Sequence, residues 1–403
     1  MRFAVHHRAD TKQRLAALAQ EMSAWEGAAR IQDDEADRIR AAIRSFGHAQ
    51  YRPGVRIGGV DGSGDYPSLS YGDSFVYVTV AHGAIYESAP LNGLKELPCP
   101  EAELSDFCWI PEDEVQRIQA IDAAFERMVG QPIQEVIEAS DYRLLKERFS
   151  RRKSSVSELD AELIRPHASD AGNLGIQLRS VGELSAALRV IRAESAPNMV
   201  LIDSTMALPF VSRAKSSLFQ EHLKRLCCVE ACTKGIGFFA LSKSHGLPSM
   251  EVIEKLAEEA LGTAKAEHWF LRLPDRATGE KPLDMLAGRN LPPQATVTYL
   301  VRFHRNVPVL RLDMDLNYWQ AHVRGETPEA TLANEQRIFE DLDHAAHDQR
   351  AYGYPYPIKA GHDRASLTDA ERVALRKMII DAAVAAGMRR TLFKNASSAT
   401  GHG

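Results

Sequence analysis

No stretch of the 403-residue chain carries about eighteen consecutive apolar residues, so no membrane-spanning helix is expected. The opening segment MRFAVHHRADTKQRL lacks the apolar core that a secretory signal needs. Cysteine is scarce: Cys99, Cys108, Cys227, Cys228 and Cys232 are all there is. An odd number, with three crowded together, excludes a disulfide framework and fits a reducing cytoplasm. No CxxC pair occurs. Cys228 and Cys232 lie one helical turn apart, but no further Cys or His follows at zinc-site spacing, so they read as small buried apolar residues. Positive charge is not in excess, since 49 Lys and Arg face 54 Asp and Glu for a net charge of −5. The whole-chain field therefore does not attract nucleic acid, and a DNA contact would need a local basic patch. A GxxxxGK[ST] loop is absent, so P-loop ATP hydrolysis is not expected. No internal repeat is visible. What is present is ordinary: 44% hydrophobic and 26% charged residues, with 26 Gly and 19 Pro, as in folded globular proteins. At roughly 150 residues per domain the length suggests two or three units, or one large domain with insertions.

Periodicity organises the chain. Residues 10–46 carry Leu15, Leu18, Ala19 and Met22 at helical spacing, and Pro53-Gly54 closes that region. The texture then changes to VRIGGVDGSGDYPSLSYGDSFVYVTVAHGAIYES, a short apolar run ending in Asp61, a Gly/Ser turn, and apolar segments near 74–80 and 84–86. That pattern predicts a strand followed by a hairpin or meander. Residues 113–150 return to helical spacing, and RRKSSVSE (151–158) reads as an exposed loop. An amphipathic helix over 174–194, with Leu178, Leu184, Leu188 and Ile191 on its apolar side, leads into the buried-strand signature NMVLID. A helix over about 213–230 precedes the buried strand of GIGFFALSKSHG. After a helix at 249–262 come two β segments, TVTYLVRF and VPVLRLDMD. Helices at 328–350 and 367–388 flank AYGYPYPIKAGHDRA. The expected division is a helical segment over 1–50, one α/β domain over 51–395 with a helical insertion around 110–170, and a flexible tail at 396–403.

Three of these strands end in polar groups: Asp61 in VDGSGD, Asp203 in LIDST and Lys243 in ALSKSHG. Ligands collect at the carboxyl ends of strands in open α/β sheets. An Asp emerging from an apolar strand is costly unless it is paired, hydrogen-bonded or metal-bound. Two brought together repel unless a divalent cation such as Mg²⁺ or Mn²⁺ neutralises them. Each Asp taken singly reads equally as a cap on a turn or on the next helix. Glu183, twenty positions before Asp203 on the preceding helix, lies at the boundary of the apolar side, where a polar residue can point either at the strand end or at solvent.

The motifs GVDGSGDYPS, RSVGELSAALRVIRAESAPNMVLIDSTMALP, GIGFFALSKSHG and AYGYPYPIKAGHDRA, in that order, resemble those of the NurA nuclease family. The resemblance implies an RNase H-like mixed β-sheet flanked by helices, similar also to PIWI domains. It implies a metal site of Asp61, Glu183, Asp203 and His362, with Asp363 as a substitute ligand, holding two Mn²⁺ or Mg²⁺ ions about 3.5–4 Å apart. Lys243 would meet the scissile phosphate. Single-stranded DNA or duplex ends would be the substrate, a HerA-type hexameric ATPase the partner, and a homodimer the assembly. Basic clusters at 146–153, at Arg302, His304 and Arg305, and at Arg376, Lys377, Arg389 and Arg390 are candidate DNA contacts, with Tyr352, Tyr354 and Tyr356 as base-stacking or wall residues. Two other readings stay open: an actin/hexokinase-like ATPase, whose phosphate loop VDGSGD also resembles, and a non-catalytic partner-binding protein of the same fold.

Overall fold

Apolar runs alternating with amphipathic helices assemble into one mixed sheet in the computed structural model of the chain. It describes residues 9–26, 31–64, 67–149, 171–207, 219–247, 250–262, 265–289 and 291–395. The exposed loop expected at 151–158 and the tail at 396–403 lie outside these residues.

The centre of the sheet is built from β2 (Arg56–Ser63), β4 (Ser74–Ala89), β6 (Glu103–Ile110), β7 (Met199–Ile202) and β8 (Gly237–Ser242). Their order is β6-β4-β2-β7-β8. The long β4 runs antiparallel to β2 and β6, while β7 is parallel to both β2 and β8. This is the RNase H-like arrangement. Beyond β8 the sheet continues through β11 (Leu310–Asp315), β10 (Thr296–Arg302) and β9 (Trp269–Arg272) to the edge strand β1 (Arg44–Ser45). Short strands β3 (Leu69–Tyr71), β5 (Gly93–Leu97) and β12 (Phe393–Lys394) complete the other side.

Both faces of β2, β7 and β8 are covered, which explains their continuous apolar runs. On one face lies α6 (Ala171–Arg192), packing Leu178, Val181, Leu188 and Ile191 against Val60, Val200 and Ile202, with α7 (Phe219–Thr233) beside it. The opposite face meets α9 (Pro328–Ala346) and α10 (Tyr356–Ala365) through Phe339, Leu342 and Ile358, packed with Ile57, Leu201 and Phe239. Three helices, α3 (Glu114–Val129), α4 (Ile133–Ala139) and α5 (Tyr142–Phe149), lie beside the α6 face, burying Ile121, Phe125 and Met128. A third apolar cluster joins α2 (Asp33–Ala42) and α8 (Met250–Leu261) to β9. By contrast, α1 (Ala9–Glu26) leaves Leu15, Leu18 and Met22 exposed, and α11 (Asp369–Ala385) buries no residue. Among the described residues no helix is long and apolar enough to cross a membrane.

Several elements depart from the sequence reading. The two segments expected at 74–80 and 84–86 are one 16-residue strand, because β2, β3, β5 and β6 all pair along its length. The helical spacing read to residue 46 stops at Ala42, and residues 44–45 pair with β9 instead. The Tyr/Pro segment, read as a connection between helices, contains the ten-residue α10. Pro355 precedes it and Pro357 sits in its first turn, where a missing N–H costs nothing.

Candidate functional site

Parallel pairing sets the first two acidic groups side by side. Val60 on β2 is in register with Ile202 on β7, so Asp61 and Asp203 are the next residues along neighbouring strands. Asp61 Oδ1 accepts the Gly62 backbone N–H at 2.7 Å, and its Oδ2 lies 2.7 Å from His362 Nδ1. His362 arrives on α10, which crosses β2 at backbone contact. A Cβ on Gly59 would fall 2.1 Å from the carbonyl carbon of Pro357, and one on Gly361 would fall 3.0 Å from the Asp61 backbone nitrogen. Only hydrogen side chains at both positions allow this approach. Ser63 Oγ donates to the Ala365 carbonyl at 2.6 Å and ties down the far end of α10.

Glu183 enters from the other side of the sheet, on α6, with Arg179 Nε 3.9 Å from its carboxylate. Its carboxyl faces those of Asp61 and Asp203. Lys243, just beyond β8, places Nζ 3.9 Å from Asp203 and 4.7 Å from the centre of the Tyr354 ring.

The electrostatics follow from crowding. Burial pushes the Glu183 carboxyl well above the usual carboxylate range; Arg179 opposes that, and Asp61 and Asp203 add to it. Asp203 is also raised, first by burial and then by Asp61, against the pull of Lys243. The Tyr354 hydroxyl is held neutral by burial and by the Asp203 carboxylate. For Glu183 and Asp203 the positive charge nearby does not offset burial and the neighbouring carboxylates. Three carboxylates and one imidazole form a donor set that suits a hard divalent cation such as Mg²⁺ or Mn²⁺.

Several solved nuclease structures align with most of the chain. The NurA nuclease from Sulfolobus solfataricus aligns over 95% of this chain and 99% of its own, at 14% identity and a TM-score of 0.47. A NurA structure with manganese aligns over 94% and 99%, at 14% identity and a TM-score of 0.39. Endonuclease V from Ciona intestinalis, in complex with a DNA containing an inosine followed by a ribo-adenosine, aligns over 89% and 99%, at 12% identity and a TM-score of 0.30. The chain resembles NurA nucleases. No family model matches the sequence, and no curated protein matches it.

The five residues singled out in the sequence, Asp61, Glu183, Asp203, Lys243 and His362, therefore meet in one place. Asp363 does not join them. It turns outward into an ion pair with Lys359, whose Nζ is 2.7 Å from both carboxylate oxygens. The three tyrosines also part company. Tyr354 lines the site, Tyr356 stacks under the Arg350 guanidinium at 3.6 Å, and Tyr352 packs edge-on against His304 and His347. Of the basic clusters, Arg302 faces Glu254 at 3.5 Å and Arg305 faces Glu267 at 3.3 Å, while residues 150–153 lie outside the described residues.

Sequence reading missed one supporting group. His82, opposite Asp61 in the β2–β4 register, has Nε2 3.0 Å from Arg364 NH1, and Arg364 is clamped bidentately to Glu96. Burial and then Arg364 lower the His82 pKa, keeping that imidazole neutral next to the site. The signal was the placement of Arg364 two residues beyond His362, legible only once that segment is known to be helical.

Proposed function

We propose that the chain is a metal-dependent deoxyribonuclease whose centre is Asp61, Glu183, Asp203 and His362. The observation that carries this reading is the convergence of those side chains at the carboxyl ends of β2 and β7 in an RNase H-like sheet. Hydrolysis of a phosphodiester needs an in-line water and relief of charge on the departing oxygen; two bound Mn²⁺ or Mg²⁺ ions supply both. The protein's part is to hold them. Asp61, between Glu183 and His362, would hold them together with those two residues, while Asp203 completes the acidic wall. Lys243, exposed on the solvent side of Asp203, is placed to bind a phosphate oxygen of the incoming strand and offset the charge that grows on it. His82 and Arg364 act by positioning, fixing α10 and with it His362.

The ordered motifs support DNA as the substrate, as single strands or duplex ends, a homodimer as the assembly, and a HerA-type ATPase as the partner. The exposed Leu15, Leu18 and Met22 of α1 supply an apolar face for such docking. Labelled single-stranded DNA tests the reading. Cutting is expected with Mn²⁺ and is expected to stop with EDTA. Asp61→Asn and Asp203→Asn should each lose cutting with unchanged circular dichroism, and full activity in either variant refutes the assignment.

A further inference from the structure

At the sheet edge formed by β9 and β1, well along the strand order from β2 and β7, three imidazoles surround one carboxylate. Asp343, in the last turn of α9, has a fully buried side chain. Its Oδ2 lies 2.7 Å from His48 Nδ1, and its Oδ1 lies 3.0 Å from His268 Nδ1 and 3.3 Å from His347 Nδ1. The rings crowd together, with centroids 4.1 Å apart for His48 and His347 and 5.4 Å apart for His268 and His347. Three separate chain segments supply them. His48 lies in the connection from β1 to β2, His268 immediately precedes β9, and His347 follows Asp343 by one helical turn. The nuclease reading uses none of the four.

We propose that His48, Asp343 and His347 form a second divalent-cation site, of the zinc type, with His268 bracing the Asp343 carboxylate from the side. The donor set decides the class of metal. Two imidazole nitrogens and one carboxylate oxygen favour Zn²⁺, whereas the carboxylate-rich strand-end site favours Mg²⁺ or Mn²⁺. The geometry decides feasibility. Ligand atoms of His48, Asp343 and His347 all lie within 4.8 Å of one another. A tetrahedral ion with bonds of about 2.0–2.1 Å needs neighbouring ligand atoms roughly 3.3 Å apart. The observed nitrogen–oxygen separations of 2.7–3.3 Å need only a slight opening to reach that value. Nδ1 of His48 and Nδ1 of His347 both face the Asp343 carboxylate, where one ion can meet all three, and His347 Nδ1 is held there by the Asp343 carbonyl oxygen 2.9 Å away. The His48 side chain, 28% exposed, provides the way in. Three protein ligands leave the fourth position to water, and the ion would pin the residue-48 connection to α9.

The rival state is a metal-free network in which one protonated imidazole balances Asp343. Full-length protein carrying Asp61→Asn and Asp203→Asn, to silence the strand-end site, separates the two. After chelation, loading with zinc sulfate and dialysis, one zinc per chain is expected by elemental analysis. X-ray absorption should give a shell of nitrogen and oxygen ligands with imidazole scattering. Adding His48→Gln or His347→Gln should weaken zinc binding by at least about tenfold. In the otherwise natural chain, His48→Gln should leave Mn²⁺-dependent DNA cutting as it was. Absence of retained zinc, a shell without imidazole, or binding indifferent to both histidine variants overturns the proposal. None of these results bears on the nuclease centre.

Discussion

Replacing Gly59 with Ala is the sharpest test of how α10 delivers His362. The added methyl would lie 2.1 Å from the Pro357 carbonyl carbon and 2.3 Å from the Ile358 nitrogen, both backbone atoms that cannot rotate aside. Carbon atoms rest at about 3.5–4.0 Å, so α10 or β2 must yield by roughly 1.4 Å or more. Gly59 sits mid-strand, paired with Ala84 on one side and Leu201 on the other, so the helix is the element that moves. Overpacking of this kind costs about 1–3 kcal/mol, and more where backbone is struck. A shift near 1 Å at His362 would cost about 100-fold in rate. Gly361→Ala is the graded companion: its methyl meets the Asp61 nitrogen at 3.0 Å and the His82 carbonyl oxygen at 3.1 Å, a milder clash nearer the chemistry. Urea unfolding should therefore rank Gly59→Ala as the less stable variant. Both should cut labelled DNA far more slowly than the natural chain. Natural stability and natural activity in Gly59→Ala would refute the claim that backbone contact between α10 and β2 builds the site.

Two further outcomes are expected. In metal-free protein, Glu183 and Asp203 titrate above their unfolded values, so the folded state retains protons that the unfolded chain has released. The stability this confers is present below the unfolded carboxylate range, near about pH 4, and is lost as pH rises through the raised folded values. A divalent cation binds the ionised forms, so the rise in melting temperature on adding Mn²⁺ should grow from about pH 5 to pH 8 and shrink in Glu183→Gln; a rise that ignores pH contradicts this. Elsewhere, Arg225→Met should destabilise by about 3–5 kcal/mol in urea titration. The buried guanidinium bonds Asp141 at 2.7 and 2.8 Å and also holds Asp315, so its loss strands two carboxylates; a cost under about 1 kcal/mol would be unexpected.

Much of the fold was legible because the cues are local. The apolar side of α6, with Leu178, Leu184, Leu188 and Ile191, is buried as its spacing predicts. Strand β7 is buried at every position, as an unbroken apolar run bounded by Pro197 and Asp203 requires. Strand β6 carried an equally plain cue, strict alternation through ELSDFCWI, and went unread. Helix α10 was hidden for a different reason. Two prolines and Gly361 argue against a helix, and what sustains it is packing on Gly59, a residue some 300 positions away. The histidine cluster shows the same limit: Asp343 and His347 share a helical spacing, but His48 and His268 come from remote segments.

By itself the sequence determined many of the strands and helices, and that Asp61, Asp203 and Lys243 stand where apolar strands end. It did so through the burial of side chains repeating at two or at 3.6 residues, a property each segment carries alone. Only the tertiary structure decided that β2 lies against β7, that Glu183 reaches around from α6, and that His362 rather than Asp363 turns inward. Strand order and helix crossing depend on how distant surfaces fit, and that fit has no signature in any one stretch of chain.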